Sequence, residues 1–387
     1  MESYFDNAAT TKAAPEVIDI MTKVLATDYG NPSSRHNKGM EAEEYIDNAR
    51  EIIAGTLKCE PKNIVFTSGG TESNNQALIS MAFRNERRGK HIITTTFEHA
   101  SVHEPLFFLE KRGFEVSYVG VDRDGQVDID ELAGLVRDDT IIVSIMMVNN
   151  EVGAVQELEN LVKTVKGIND RVIFHVDAIQ GYAKYKIYPK KLGIDIMSVS
   201  GHKFHGPKGS GFLYISDKLN AEPYIYGGGQ EKGLRSGTEN VPAIAGIGIA
   251  AKLAYDNLDE NVSNMIAVKQ ALIDGIKEVE GAVFNINRGL DAKVGAPHIL
   301  SVSFAGVKSE VLLHALEAEG VYVSSGSACS SNHPQLSGAL KAIGVDNRLL
   351  DSTIRFSICR DNTVSQAEYA AEILKRQVPL LKKFRRY

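Results

Sequence analysis

The chain has 387 residues, 43% hydrophobic and 24% charged, with a formal net charge of −6. That length suits two or three domains of about 100–200 residues, and the acidic balance excludes a general nucleic-acid binder. No apolar run approaches the roughly 18 residues of a membrane-spanning helix, and Met1-Glu-Ser-Tyr-Phe-Asp-Asn lacks the basic and apolar segments of a secretory signal.

In chain order, short apolar runs alternate with amphipathic helical stretches from about residue 60 to 215. Asn63-Ile-Val-Phe-Thr reads as a strand and Glu72 to Arg84 as a helix, then His91-Ile-Ile-Thr-Thr-Thr as a strand and Val102 to Lys111 as a helix. Strands are expected at Phe114-Glu-Val-Ser-Tyr-Val, at Thr140 to Val148, at Arg171 to Asp177, at Ile194 to Val199 and at Gly211-Phe-Leu-Tyr-Ile. Several are apolar on both faces, as strands between two helix layers must be, so an α/β domain with a largely parallel sheet is expected. After about residue 255 the pattern changes: a helix from about Glu260 to Glu280, a strand at His298 to Phe304, a helix from Ser309 to Glu319, strands at Val321-Tyr-Val and Thr353-Ile-Arg-Phe-Ser-Ile, and a closing helix from near Ser365. This order reads as a smaller α+β domain. The basic tail Lys382-Lys-Phe-Arg-Arg-Tyr reads as a solvated helix end.

The residues with chemical potential sit at the ends of these strands. Thr67-Ser-Gly-Gly-Thr-Glu-Ser-Asn-Asn joins a strand to a helix, and its glycines would let backbone N–H groups approach an anion. By itself it serves equally as a loop and helix cap. His99, in Phe97-Glu-His-Ala-Ser, could stack on a planar ring and move protons, or simply pack. Asp177 ends a very apolar strand, where an ionised carboxylate needs a partner; a protonated ring nitrogen would serve, and so would a helix cap. Gln180 follows within reach of the same ring. In Ser200-Gly-His-Lys-Phe-His-Gly-Pro-Lys-Gly, Lys203 can grip a phosphate or act as an amine nucleophile toward a carbonyl. The accumulation decides between these uses: Gly70 with Thr71, His99, Asn150, Asp177 with Gln180, and Ser200 to Lys203 all follow apolar runs, where open α/β sheets bind ligands.

The three cysteines, Cys59, Cys329 and Cys359, are far apart and odd in number. They offer neither a disulfide framework nor a C-x-x-C zinc site, and they suit a reducing cytoplasm. Cys329 lies in Ser324-Ser-Gly-Ser-Ala-Cys-Ser-Ser, a small-residue stretch that would leave its thiol exposed and tunable toward thiolate. Cys59 and Cys359 read as structural, Cys359 within the strand that begins near Ile354. Arg355, inside that apolar strand, demands an anion: a structural carboxylate or an amino-acid substrate.

Taken together, these motifs resemble group I cysteine desulfurases of the NifS/IscS kind, within the class V aminotransferase-like pyridoxal-phosphate enzymes. The likeness runs in order through Tyr4-Phe-Asp-Asn-Ala-Ala-Thr-Thr, Gly30-Asn-Pro-Ser-Ser, Thr67-Ser-Gly-Gly-Thr-Glu-Ser-Asn, Glu98-His, Val148-Asn-Asn-Glu, Val176-Asp-Ala-Ile-Gln, Ser200-Gly-His-Lys, Arg235-Ser-Gly-Thr-Glu-Asn, Ser325-Gly-Ser-Ala-Cys and Ile354-Arg-Phe-Ser. It implies a type I pyridoxal-phosphate transferase fold: a large domain over residues 15–257 around a mainly parallel seven-stranded sheet, and a small domain formed by residues 1–14 and 258–387. It implies that Lys203 holds pyridoxal 5′-phosphate covalently and shuttles protons. His99 would stack on the ring, Asp177 would pair with its nitrogen and Gln180 with its hydroxyl. Gly70, Thr71, Ser200 and His202 would surround the phosphate, joined by Thr238 from the neighbouring subunit of a homodimer. Asn150 and Arg355, with Asn7 nearby, would hold the substrate carboxylate, and Cys329 would accept the sulfur. No metal is implied.

The implied reaction converts L-cysteine and the Cys329 thiol to L-alanine and a Cys329 persulfide, which is then passed to an acceptor protein. A selenocysteine lyase or another pyridoxal-phosphate C–S lyase shares the ring chemistry without needing the persulfide, a plain aminotransferase gives Cys329 no role, and a non-catalytic scaffold would carry no chromophore. After Cys329 the chain reads Ser-Ser-Asn-His-Pro-Gln-Leu-Ser, where relatives often carry Leu-Glu-Pro-Ser, and it ends at Tyr387 without the longer tail by which some relatives hold a scaffold protein. Iron–sulfur assembly, tRNA thiolation and thiocofactor synthesis therefore all stay open as destinations of the sulfur, with no direct nucleic-acid or membrane contact expected.

Overall fold

The computed structural model describes residues 1–287, 291, 294–325 and 337–383. Cys329 lies outside the described residues. Strands are numbered in chain order: β1 Ser3–Tyr4, β2 Ile64–Thr67, β3 His91–Thr95, β4 Glu115–Val119, β5 Thr140–Met146, β6 Ile173–Asp177, β7 Ile196–Ser200, β8 Gly211–Ile215, β9 Ala282–Phe284, β10 Ile299–Phe304, β11 Val321–Tyr322, β12 Ser324–Ser325 and β13 Thr353–Ser357.

Among the described residues, seven strands form one sheet in the order β2-β8-β7-β6-β5-β3-β4, parallel except for β8, which runs antiparallel to both neighbours. The all-apolar reading of β5, β6 and β7 reflects burial on both faces: every residue of these three strands is buried. Two apolar layers cover the sheet. One contains Ile93, Val143, Phe174, Val199 and the helix Val241–Asp256; the other contains Ile92, Ile142, Leu106 and Leu213. The helix Leu158–Ile168 shows the logic locally, because its buried Leu158, Leu161, Val162 and Val165 recur at three- and four-residue steps. Where polar groups enter the sheet they are paired. His175 in β6 bonds Ser144 on one ring nitrogen (2.8 Å) and Ser198 on the other (2.9 Å). Burial pushes it down to about 3, so it is a neutral structural histidine.

A second core gathers around an antiparallel sheet of order β12-β13-β10-β9, described over four strands, with the helices Leu258–Lys277 and Val364–Lys382 packed on it. Those two helices approach so closely that a Cβ on Gly275 would come within 2.3 Å of the Ala371 Cβ. Two local expectations need correcting here. Val321-Tyr-Val is not one strand: Val321–Tyr322 pairs in parallel with β1, and the chain then shifts to pair Ser324–Ser325 with β13. Cys359 is not in a strand either, because β13 ends at Ser357 and the Cys359 N–H is taken by the Asn362 side chain (2.8 Å).

The N-terminal segment ties the two cores together. It runs beside β13, with Ser357 N–H donating to the Phe5 carbonyl (2.7 Å) and Ala8 N–H to the Ser357 hydroxyl (2.8 Å). It then reaches the large sheet, where Thr11 N–H donates to the His202 carbonyl (2.9 Å).

Candidate active site

The carboxyl ends of β2, β3, β5, β6 and β7 open onto a cavity of about 440 Å³, closed from the other side by Asp6, Ala8, Ser324 and Arg355. The structure brings most of the sequence-derived candidates to its wall: Gly70 and Thr71 after β2, His99 after β3, Asn150 after β5, Asp177 and Gln180 at the end of β6, and Ser200, His202 and Lys203 at the end of β7. This convergence is a consequence of the parallel strands, whose carboxyl ends share one edge of the sheet.

Lys203 closes a tight turn, Gly201–Lys203. Phe204 fixes that turn by packing edge-on against the fully buried Tyr182 ring, 5.0 Å away. The Lys203 Nζ donates to the Ala8 carbonyl (2.7 Å) and the Ala9 carbonyl (2.8 Å), so the N-terminal segment positions the amine. Behind the turn the Lys184 Nζ donates to the Lys203 carbonyl at 2.6 Å. Burial pulls the Lys184 amine down to about 7, with the Lys203 charge adding to the effect.

Asp177 is 4% exposed, and its partners are neutral: the Ile179 N–H (3.0 Å) and the Asn74 amide (2.8 Å). Burial raises its pKa against the more distant pull of the His99 and Lys203 charges, and among the described residues no cation hydrogen-bonds the carboxylate, in a place where one would hold it ionised. The same Asn74 nitrogen donates to the Ser101 hydroxyl (2.8 Å), which in turn meets His99 Nδ1 (2.8 Å). Nδ1 also accepts the Ser101 backbone N–H (3.0 Å), making His99 the cap of the helix Ala100–Glu110. An Nδ1 that accepts must be unprotonated, so the neutral ring carries its proton on Nε2. Burial first, and the Lys203 charge among the further causes, lowers the His99 pKa and favours that neutral form.

Gly69 and Gly70 show why this loop needs glycine. Gly69 has φ +150, and a Cβ on Gly70 would strike Ile179 Cδ1 at 2.2 Å. An adjoining opening of about 350 Å³, edged by Ser68, Thr71, Ser200, His202 and Lys208, lies over the start of the helix that begins at Gly70. Backbone N–H groups and basic side chains there suit an anion.

Three candidates behave differently from the rest. Arg355 has an internal anion: its Nη2 donates to Asp6 (2.8 Å) and its Nη1 to the Asn150 carbonyl (3.0 Å), while its buried Nε has no partner among the described residues. Asn150 thus enters the arrangement through its backbone. Asn7 does not line the large cavity, because its amide is committed to the Tyr4 and Ser357 carbonyls and to Asn362. Thr238 is exposed on the loop after Gly237 and is also absent from the cavity wall.

Sequence reasoning overlooked Asn74, Ser101, Glu98, Asp6 and Lys184. Asn74 and Ser101 lie inside motifs already noticed, one helical turn from Gly70 and two residues from His99, and those spacings were the available signal. Glu98 accepts from the Thr95 hydroxyl (2.7 Å) and Met146 N–H (2.9 Å) on one oxygen, while its other oxygen is buried without a partner among the described residues. Burial pushes Glu98 up to about 8. The proton then stays on the folded state between the ordinary carboxylate range and about pH 8, so stability falls as pH rises through that window. Glu98→Gln mimics the protonated acid. Its Tm relative to wild type should rise progressively from pH 5 to 8 and level off above, and a pH-independent difference in calorimetry would refute the neutral assignment.

The chain matches the family described as Aminotransferase class-V over residues 3–369. It is 41% identical over 381 residues to cysteine desulfurase IscS of Dictyoglomus turgidum, covering 98% of this chain and 95% of that protein. It superposes on a solved NifS-like protein with a TM-score of 0.92 at 39% identity, covering 98% of this chain and 100% of that one. A solved complex of SspA with cysteine matches at TM-score 0.81 and 34% identity over 92% of this chain and 99% of that one. With nearly the whole chain matched at this identity, the protein belongs to the class-V aminotransferase family and, within it, to the IscS/NifS cysteine desulfurases.

Proposed function

We propose that the chain uses pyridoxal 5′-phosphate to take sulfur from L-cysteine, leaving L-alanine and a persulfide on Cys329. The observation that carries the reading is Asp177, a buried carboxylate with only neutral hydrogen-bond partners, in the same cavity as the Lys203 amine. A pyridinium nitrogen is the cation that this carboxylate lacks, and an aldehyde carbon is the natural partner of the amine. The bound cofactor would supply an electron sink conjugated to the substrate amine, acidifying Cα–H and loosening the Cβ–S bond.

The chain's own groups would do the rest. Gly70, Thr71, Ser200 and His202 would hold the phosphate, with Thr238 reaching it from the partner subunit of a homodimer; the exposure of Thr238 away from its own cavity supports that assignment. Gln180 would donate to the ring hydroxyl. His99 would cover the ring and hold a proton at Nε2, and the Lys203 Nζ would take the Cα proton and return it. The Arg355 Nε–H, without a partner among the described residues, and the Asn150 segment would orient the substrate carboxylate.

Cys329 would be the sulfur acceptor. Of the three cysteines, Cys59 and Cys359 are both pushed up to about 11 by burial, which makes them poor nucleophiles at neutral pH and favours Cys329 as the acceptor. Its thiolate would attack the substrate Sγ as the Cβ–S bond breaks, so L-cysteine plus Cys329–SH balances to L-alanine plus Cys329–SSH. The persulfide would pass to a protein acceptor for iron–sulfur assembly or thiolation. No helix among the described residues is long and apolar enough to cross a membrane, and we infer a cytoplasmic enzyme. The hydrophobic cluster that joins Phe5 to residues from Met265 to Val378 contains no residue of 15–257, which supports a division into 15–257 against 1–14 with 258–387.

The test is product analysis of the cofactor-loaded protein. L-cysteine should yield L-alanine, with one sulfide released by reductant for each alanine. Turnover of selenocysteine alone would overturn the reading in favour of a lyase.

A further inference from the structure

His298 stands immediately before β10, on the small-sheet side of the cavity, and is 2% exposed. Its Nε2 lies 3.3 Å from Gln180 Oε1, and its buried Nδ1 has no partner among the described residues. Burial, reinforced by the charges of Lys184, Lys269 and Arg355, holds its pKa well below the usual histidine value. The ring is therefore neutral and has one N–H to give.

The place of that proton follows from Gln180. The Gln180 Nε2 donates to the Ala8 carbonyl at 3.0 Å; turning the amide over would set its oxygen against that carbonyl oxygen, acceptor against acceptor. Oε1 therefore faces His298, which must protonate Nε2 to satisfy it. With Oε1 and one N–H occupied, Gln180 keeps one N–H. The Ala8 carbonyl that takes the first N–H also takes the Lys203 ammonium, so the amide and the lysine are referenced to the same atom.

We propose that His298 is a positioning residue: its Nε2–H locks the Gln180 amide in the orientation that offers the remaining N–H to the cofactor's ring hydroxyl. His298 touches neither substrate nor cofactor and acts only through Gln180. This rests on the reading of the site given above.

A double-mutant cycle tests it, using the visible spectrum of the loaded protein and kcat for alanine formation. His298→Leu should move the cofactor absorbance in the same direction as Gln180→Ala and lower kcat about tenfold, the worth of one ordinary hydrogen bond. In a Gln180→Ala background the same change should cost less than about twofold, because the group it orients is gone. His298→Gln, whose amide nitrogen reaches the Nε2 position, should restore spectrum and rate, and His298→Asn, whose shorter amide cannot reach Gln180, serves the cycle if the leucine variant does not fold. Multiplicative losses in the double mutant, or a His298→Leu protein with wild-type spectrum and rate, would overturn the proposal. A wild-type protein that never develops the lysine-bound absorbance would instead overturn the cofactor reading itself.

Discussion

Lys203→Ala is expected to lose the visible absorbance of lysine-bound cofactor and to drop alanine formation by at least about 10³-fold, the scale of removing a group that both attaches the cofactor and moves protons. The loss should be chemical rather than structural. The Lys203 backbone carbonyl remains to accept from Lys184, and Phe204 remains packed on Tyr182, so the turn keeps its anchors. Lys203→Arg sharpens the point. A guanidinium can still donate to the Ala8 and Ala9 carbonyls but stays charged and cannot form the covalent link. It should fold, bind cofactor loosely and remain inactive. Unchanged absorbance in Lys203→Ala would sink the assignment.

The second large effect is at Cys329. Cys329→Ala should keep the full cofactor spectrum while alanine formation from L-cysteine falls below about 1% of wild type, because the proposed acceptor thiol has gone. Cys59→Ala provides the control: its half-buried thiol is pushed up to about 11 and it stands apart from the cavity, so turnover should be unaffected. Normal turnover by Cys329→Ala would refute the persulfide route, and release of sulfide without a protein persulfide would point to simple elimination.

The legibility of this chain was uneven for physical reasons. Strands β2, β3 and β5 to β8 could be read because sheet burial on both faces writes itself as largely apolar runs, while the half-buried edge strand β4 shows only alternation, and the site residues at strand ends could be read because polar groups after such runs need an explanation. Lys203, Asp177 and His99 were found this way. Strand β9 was missed because its three residues are each only half-buried and leave no such run. Asn7 was expected at the substrate and does not line the large cavity, because the nearby Tyr4 carbonyl and two distant acceptors, Ser357 and Asn362, claim its amide, and no local spacing could announce the distant pair. Ala8 and Ala9 hold the reactive lysine through backbone carbonyls, which every residue type possesses and which therefore leave no mark in a sequence. Arg355 was expected to need an anion; it has Asp6, 349 positions earlier, a separation that no motif spans.

That separation has a consequence for how the protein comes into being. Asp6, Ala8 and Ala9 leave the ribosome long before Arg355 exists, and Lys203 emerges roughly midway. The large sheet can assemble while synthesis continues, and Gln180 and His202 already offer partners to Ala8 and Thr11, but the anchors on the other side of the segment arrive only when β13 has been made and laid beside residues 5–8. On the proposed reading, capture of the cofactor in its final geometry would be a late event of biogenesis, completed when the nascent chain is almost finished. A half-made polypeptide would have the lysine but only part of the frame that aims its amine, and the proposed aldehyde chemistry would wait for the finished molecule.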